Sequence, residues 1–234
     1  MKKIKIKFQY YPLIPYACVF SMQLITYYLT KLININAKYF NLTQPFDNLI
    51  PFIPASITIY VLCYAWWFIT PFLIAQYTDK KRFYQFVLTS FFSFVICFVF
   101  FITVPTTIVR PNFVIDDFFT WATAFIYSTD VPNNLFPSMH CLVSWLCYIP
   151  LRNYKGVPKK LVTFQCVFAI LVCISTQTIK QHYIVDLVMG IAIAELVFYI
   201  VKKFNMGGKT NKFFTNINIR LKMEKKEGSN NQIK

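Results

Sequence analysis

The two histidines of this chain lie within one stretch, residues 136–186. His140 ends Phe136-Pro137-Ser138-Met139-His140, just ahead of an apolar run, and His182 stands where another apolar run begins, four residues before Asp186. On a helix, positions i and i+4 share a face, so a carboxylate at 186 can orient an imidazole at 182. Pro137-Ser138 reads as a helix start with Ser138 as N-cap. A helix N-terminus presents free N–H groups and partial positive charge, both suited to a phosphate. Two imidazoles, a carboxylate and an anion-binding helix end are the parts of a phosphoryl-transfer site.

The elements that must position these groups are apolar. The chain has 234 residues, 56% of them hydrophobic and 19% aromatic. Apolar runs of about 20 residues recur, the length that crosses a bilayer as a helix. The net charge of +15 comes from residues between these runs and in the tails. No basic face alternates with aromatics on a soluble scaffold, so nucleic-acid binding is disfavoured. Seven cysteines fall in or beside apolar runs without zinc-type spacing, and core packing is their expected role.

Taken in order, the sequence predicts an all-α, six-span bundle with spans at residues 11–33, 50–77, 83–104, 138–151, 161–179 and 182–203. The first follows a basic start, as a signal peptide does. Its apolar region is too long for one, and it reads as a retained span. Pro51 and Pro54 suit the opening turn of the second. The fourth is short: about 14 residues reach roughly 21 Å, against a hydrocarbon core of about 30 Å. Its Ser138 end would then lie below the membrane surface, at the depth of a lipid phosphate. The loop between spans three and four contains an aromatic segment, 118–127, too short to cross and expected to form an interfacial or re-entrant helix, the alternative being a loop plugged into the bundle core. Residues 1–203 form one domain in this reading, and 204–234 a basic tail that composition marks as disordered, with 213–223 able to lie on the membrane.

With six spans, both termini share a side, and that side collects 20 of the 24 Lys and Arg residues. The positive-inside rule makes it cytoplasmic. Arg110, His140 and His182 then meet on the extracytoplasmic face, together with Lys180, one of four cations there. Glu195 falls well away from them; a buried hydrogen bond or a place on a substrate path is its expected role.

Three segments resemble the motifs of the type 2 phosphatidic acid phosphatase and vanadium haloperoxidase superfamily, which are Lys-x6-Arg-Pro, Pro-Ser-x-His and Ser-Arg-x5-His-x3-Asp. Here they read Thr103-x6-Arg110-Pro111, Pro137-Ser138-Met139-His140 and Ser175-Thr176-x5-His182-x3-Asp186. Order and spacing are kept, but Thr103 and Thr176 replace a lysine and an arginine. The third motif is similar to that of the inositol phosphorylceramide synthase branch. The resemblance implies that His182 attacks phosphorus, that Asp186 holds its ring, and that His140 protonates the leaving oxygen and later activates water. Arg110 would bind the phosphate with help from Ser138. Lys180 is not a motif residue, but as a cation two residues before His182 it is expected to replace charge missing at Thr176.

The expected protein is thus an integral membrane enzyme of the cell membrane without cofactor or metal. It would hydrolyse a lipid phosphate monoester or pyrophosphate at the extracytoplasmic face. Transfer of the phosphoryl group to an alcohol is one alternative. A catalytically inactive lipid-phosphate binder, suggested by the two threonines, is the other.

Overall fold

The computed structural model describes residues 9–223. Among them are eight α-helices: α1 (Leu13–Ile33), α2 (Ile57–Tyr77), α3 (Lys80–Thr103), α4 (Phe118–Thr129), α5 (Met139–Tyr148), α6 (Lys159–Thr178), α7 (Ile184–Lys203) and α8 (Met206–Arg220). Two short strands, β1 (Phe40–Asn41) and β2 (Thr106–Thr107), pair in parallel and tie the loop after α1 to the loop after α3. Five helices are long and apolar enough to cross a membrane: α1, α2 with the 3-10 turn from Pro54, α3, α6 and α7. The expected fourth span is apolar but shorter than drawn, since α5 has only 10 helical residues. Its backbone leaves the helix around Pro150, which has no N–H to continue it.

Helix α5 occupies the centre of the bundle, packed between α6 and α7 and against α2. Its Cys141, Leu142 and Leu146 are fully buried. On the far side α3 carries α1, α7 and α8. Polar groups join the apolar helices: Thr26 Oγ1 of α1 donates to Phe94 O of α3 at 3.3 Å, and Asn34 Nδ2 to Phe101 O at 2.6 Å. Such bonds matter between membrane helices because lipid offers no competing partner. Five of the seven unpaired cysteines are buried.

The two ends of the bundle differ in chemistry. At one end Arg82 donates to Pro150 O and Arg152 O, Asp79 N to Tyr154 Oη, and Arg152 forms a two-pronged ion pair with Glu195 at 2.6 and 2.8 Å. Trp145 Nε1 also donates to Glu195, at 2.8 Å. Glu195 is therefore a structural anchor between α5, α7 and the basic turn, far from either histidine. At the other end α5 and α7 both begin, and the motif residues gather there.

The reading of the tail changes. Composition marks the tail as disordered, yet residues 206–220 form α8. Gly207 lets it approach Lys81 O, where an added Cβ would stand 2.5 Å away, and Phe214 stacks on Tyr84 at 5.7 Å. Packing against α3 supplies what its composition does not. The remainder of the tail beyond 223, and the first eight residues, lie outside the described residues. The aromatic segment is a helix as expected, α4, running two residues further to Thr129 and capped by Asp117, whose Oδ1 accepts from Thr120 N at 2.7 Å. Phe118, Trp121 and Phe125 line its exposed face, while Thr120 and Thr123 are buried.

Candidate active site

The turn between α6 and α7 is what places His182. Lys180 adopts a left-handed backbone, φ 51°, just past the end of α6. Gln181 N and His182 N then both donate to Thr176 O, at 2.9 and 3.2 Å, folding the chain back over the helix end. Lys180 Nζ anchors the turn by donating to Asp47 O at 3.0 Å and Ile50 O at 2.6 Å. Asp47 itself is buried, and its Oδ1 accepts from Ile184 N at 2.8 Å, capping the start of α7 from a distant loop.

Asp186 lies in the first turn of α7, fully buried, and accepts from Tyr183 N at 2.9 Å. Its Oδ2 is 3.4 Å from His182 Nδ1, an ion-pair distance without hydrogen-bond alignment. His182 is also buried, in the connecting turn outside the spanning helices. Burial pulls its pKa down, but the Asp186 carboxylate outweighs this and the net shift is upward.

Ser138 locks the two helix starts together. Its N–H donates to Asp186 O at 3.0 Å, and its Oγ accepts from Cys141 N at 3.3 Å, as the N-cap reading expects. Gly190 makes the approach possible: a Cβ there would stand 2.6 Å from Ser138 O and 3.3 Å from Leu142 N, both backbone atoms that cannot swing aside. His140 is thereby held opposite His182, ring centroids 5.7 Å apart. Its ring stacks on Tyr60 at 4.5 Å and lies near Trp67 at 5.3 Å, and its Nε2 is 3.0 Å from Tyr64 Oη. Which of these two atoms carries the proton depends on the tautomer.

Arg110 reaches the same place from the loop after α3. Its guanidinium donates to Tyr127 O (2.9 Å), Asp130 O (2.6 Å) and Gln181 Oε1 (2.5 Å), and lies 4.2 Å over the Tyr127 ring. Three of its five N–H donors are thus engaged; Nε, buried, has no partner among the described residues.

Two cavities meet at His182. One, of about 280 Å³, is lined by Arg110, Lys180, Asp47, Gln177 and His182. The other, of about 560 Å³, lies between α1 and α2 and is lined by His140, His182, Lys31, Asp130 and a row of aromatics. The six residues singled out in the sequence therefore converge, with two qualifications. Ser138 is wholly buried as a cap beneath the site, and Lys180 points its ammonium at two carbonyls while lining the smaller cavity. Neither Thr103 nor Thr176 lines either cavity, although the Thr176 carbonyl holds the His182 turn from beneath. Thr103 is exposed and bonds back to Val99 O at 2.8 Å, and buried Thr176 bonds back to Cys173 O at 2.8 Å.

Sequence reasoning missed Tyr60, Tyr64 and Trp67. They recur at helical spacing on α2, but in so aromatic a helix the pattern looks like ordinary packing. It also missed Gln181, Asp47, Lys31 and Asp130, whose partners are distant in the chain. An imidazole beside a carboxylate, a second imidazole facing it and a guanidinium at the rim are the groups that in-line phosphoryl transfer uses.

No curated protein and no solved structure matches the chain. A family model does, over residues 85–207, a span that includes Arg110, both histidines and Asp186. The motifs, their convergence at one end of a bundle of membrane-type helices and this match place the chain in one family: it belongs to the PAP2 superfamily, whose members are generally phosphatases or related hydrolases.

Proposed function

We propose that the protein is an integral membrane phosphatase that hydrolyses a lipid phosphate monoester or pyrophosphate through a phosphohistidine. The observation that carries this reading is His182, backed by Asp186 at 3.4 Å, facing His140 across 5.7 Å at the junction of two cavities. With Nδ1 turned to Asp186, Nε2 of neutral His182 supplies the lone pair. It attacks phosphorus as the bond to the leaving oxygen breaks, and His140 gives that oxygen a proton. His140 then takes a proton from water, which attacks the phosphohistidine; inorganic phosphate leaves and His182 is free again. Arg110 and Lys180 at the smaller cavity offset the charge on the phosphoryl oxygens. These cations take the part a divalent ion plays elsewhere, so the reaction proceeds with chelator present.

The site lies extracytoplasmically in this reading, with α5 as the fourth of six crossings and α4 at the interface. Its support is the distribution of cations: 20 of 24 belong to segments at the Arg82–Arg152 end or in the tails. The exposed aromatic row of α4 suits the headgroup level. Phosphate release by the purified protein from phosphatidic acid, phosphatidylglycerol phosphate and a polyprenyl pyrophosphate, with EDTA present, tests the reading. Vanadate, which mimics five-coordinate phosphorus, should inhibit. Release only on adding magnesium or zinc, or no release from any of the three, would contradict it.

A further inference from the structure

The larger cavity is a slot with two chemical ends. One face of α1 lines it, from Tyr16 through Phe20, Leu24 and Tyr27 to Lys31, a run of about 22 Å along the helix. At the bottom Tyr16 closes the slot against α2, its ring 6.1 Å from Phe68 and 5.8 Å from Phe72 and its hydroxyl 3.4 Å from Trp67 O. Above that contact α1 leans on α3 rather than on α2. Phe20, Leu24 and Phe68 are left exposed along the opening, where a bilayer would supply acyl chains.

The upper end holds a charged network. Lys31 Nζ donates to Tyr27 Oη, Tyr27 donates to Asp130 Oδ1, and Lys31 Nζ is 3.6 Å from the same carboxylate oxygen. Tyr60 donates to Asp130 Oδ2 at 3.5 Å, and Asp130 O accepts from Arg110. An ammonium has three donors, and Tyr27 and Asp130 occupy one side of it. The pair brings no net charge to the slot, whereas Arg110 and Lys180 outnumber Asp47 around the smaller cavity. His182 lines both cavities, and His140 only the slot. The transferred phosphoryl group therefore belongs in the smaller cavity, and the leaving group beside His140, in the slot.

We propose that Lys31, held by Asp130 and Tyr27, is the residue that selects the leaving group. It favours a neutral alcohol with oxygen acceptors on the carbons next to the ester, of the acylated-glycerol kind. A bare polyprenol offers Lys31 no acceptor. A leaving group that is itself a phosphate, as in a polyprenyl pyrophosphate, finds no net positive charge there, because Asp130 compensates Lys31. Lys31 lies outside the residues that match the family model. The inference rests on the phosphatase reading for which cavity holds which group, but a binding measurement tests it independently of turnover.

The probes are three non-hydrolysable phosphonates, of a diacylglycerol, of a polyprenol, and a polyprenyl diphosphonate, titrated against the full chain in nanodiscs. The wild type should bind the diacylglycerol phosphonate about tenfold more tightly than either polyprenyl probe, the equivalent of about one hydrogen bond to a charged donor. Lys31→Met should bring the three to within about threefold, and Lys31→Arg should keep the preference. Asp130→Asn should instead improve binding of the diphosphonate, because it leaves the cation uncompensated; general damage to the fold would weaken all three probes alike. Equal binding in the wild type, or an unchanged preference in Lys31→Met, would overturn the proposal. Absence of phosphate release with the preference intact would count against the phosphatase reading alone.

Discussion

Asp186 gives His182 two things at once: an orientation, through the buried 3.4 Å approach to Nδ1, and a raised pKa. The sign of the second is testable. A nucleophilic imidazole must be neutral, so activity should fall as pH drops through the raised pKa. The acid limb of kcat should lie above the ordinary histidine value of about 6.5. In Asp186→Asn the carboxylate that raises the pKa is gone while burial remains, so the limb should move to lower pH. The rate on its plateau should drop by about 10²–10⁴-fold as ring and tautomer lose their support. A limb that stays in place in this variant would mean that the carboxylate does not act on His182. Tyr64 can be tested in the same assay. Tyr64→Phe removes the contact to His140 Nε2 but keeps the aromatic wall, and should slow turnover of lipid substrates more than that of p-nitrophenyl phosphate, whose leaving group needs little protonation. At this scale the histidines and Asp186 were legible in the sequence because their spacing is local. Tyr64, Asp47 and Lys31 were not, because each acts through a partner at least 76 residues away in the chain.

The site exists because α5 and α7 start at the same place. Ser138 N to Asp186 O is one backbone hydrogen bond, and it is short enough only where residue 190 has no side chain. Gly190→Ala should force the helices apart, at a cost of about 1–3 kcal/mol in stability, and should reduce kcat even where the protein still folds. Thermal unfolding and phosphate release on the same sample would separate the two effects; an unchanged melting temperature and rate would show that the close approach is not needed. Among the elements, α1, α2, α3, α6 and α7 could be read directly from apolar runs of sufficient length. Helix α5 could be placed but not sized, since an apolar run does not mark where Pro150 ends the helix. Helix α8 could not be read at all: composition reports its polarity, while its order comes from docking on α3 at Gly207 and Phe214.

For the molecule as a whole, the separation of a basic end from a histidine end makes its orientation measurable. In a protein with its native cysteines replaced, Ser128→Cys, exposed near the end of α4, should react with an impermeant label from outside the cell. Lys155→Cys, exposed in the turn after α5, should react only after permeabilisation. The opposite pattern would place the site in the cytoplasm. The account's central claim is that this bundle carries a phosphoryl group on His182, and trapping the phosphoenzyme tests it most directly. Brief reaction with a substrate labelled in its phosphate, then an acid-sensitive gel assay, should show acid-labile label on the wild type and none on His182→Ala. His140→Ala should still be labelled by p-nitrophenyl phosphate and should lose the label more slowly, because the residue that activates water is missing. Label retained in His182→Ala and absent from His140→Ala would reverse the two roles, and full activity in both variants would contradict the account.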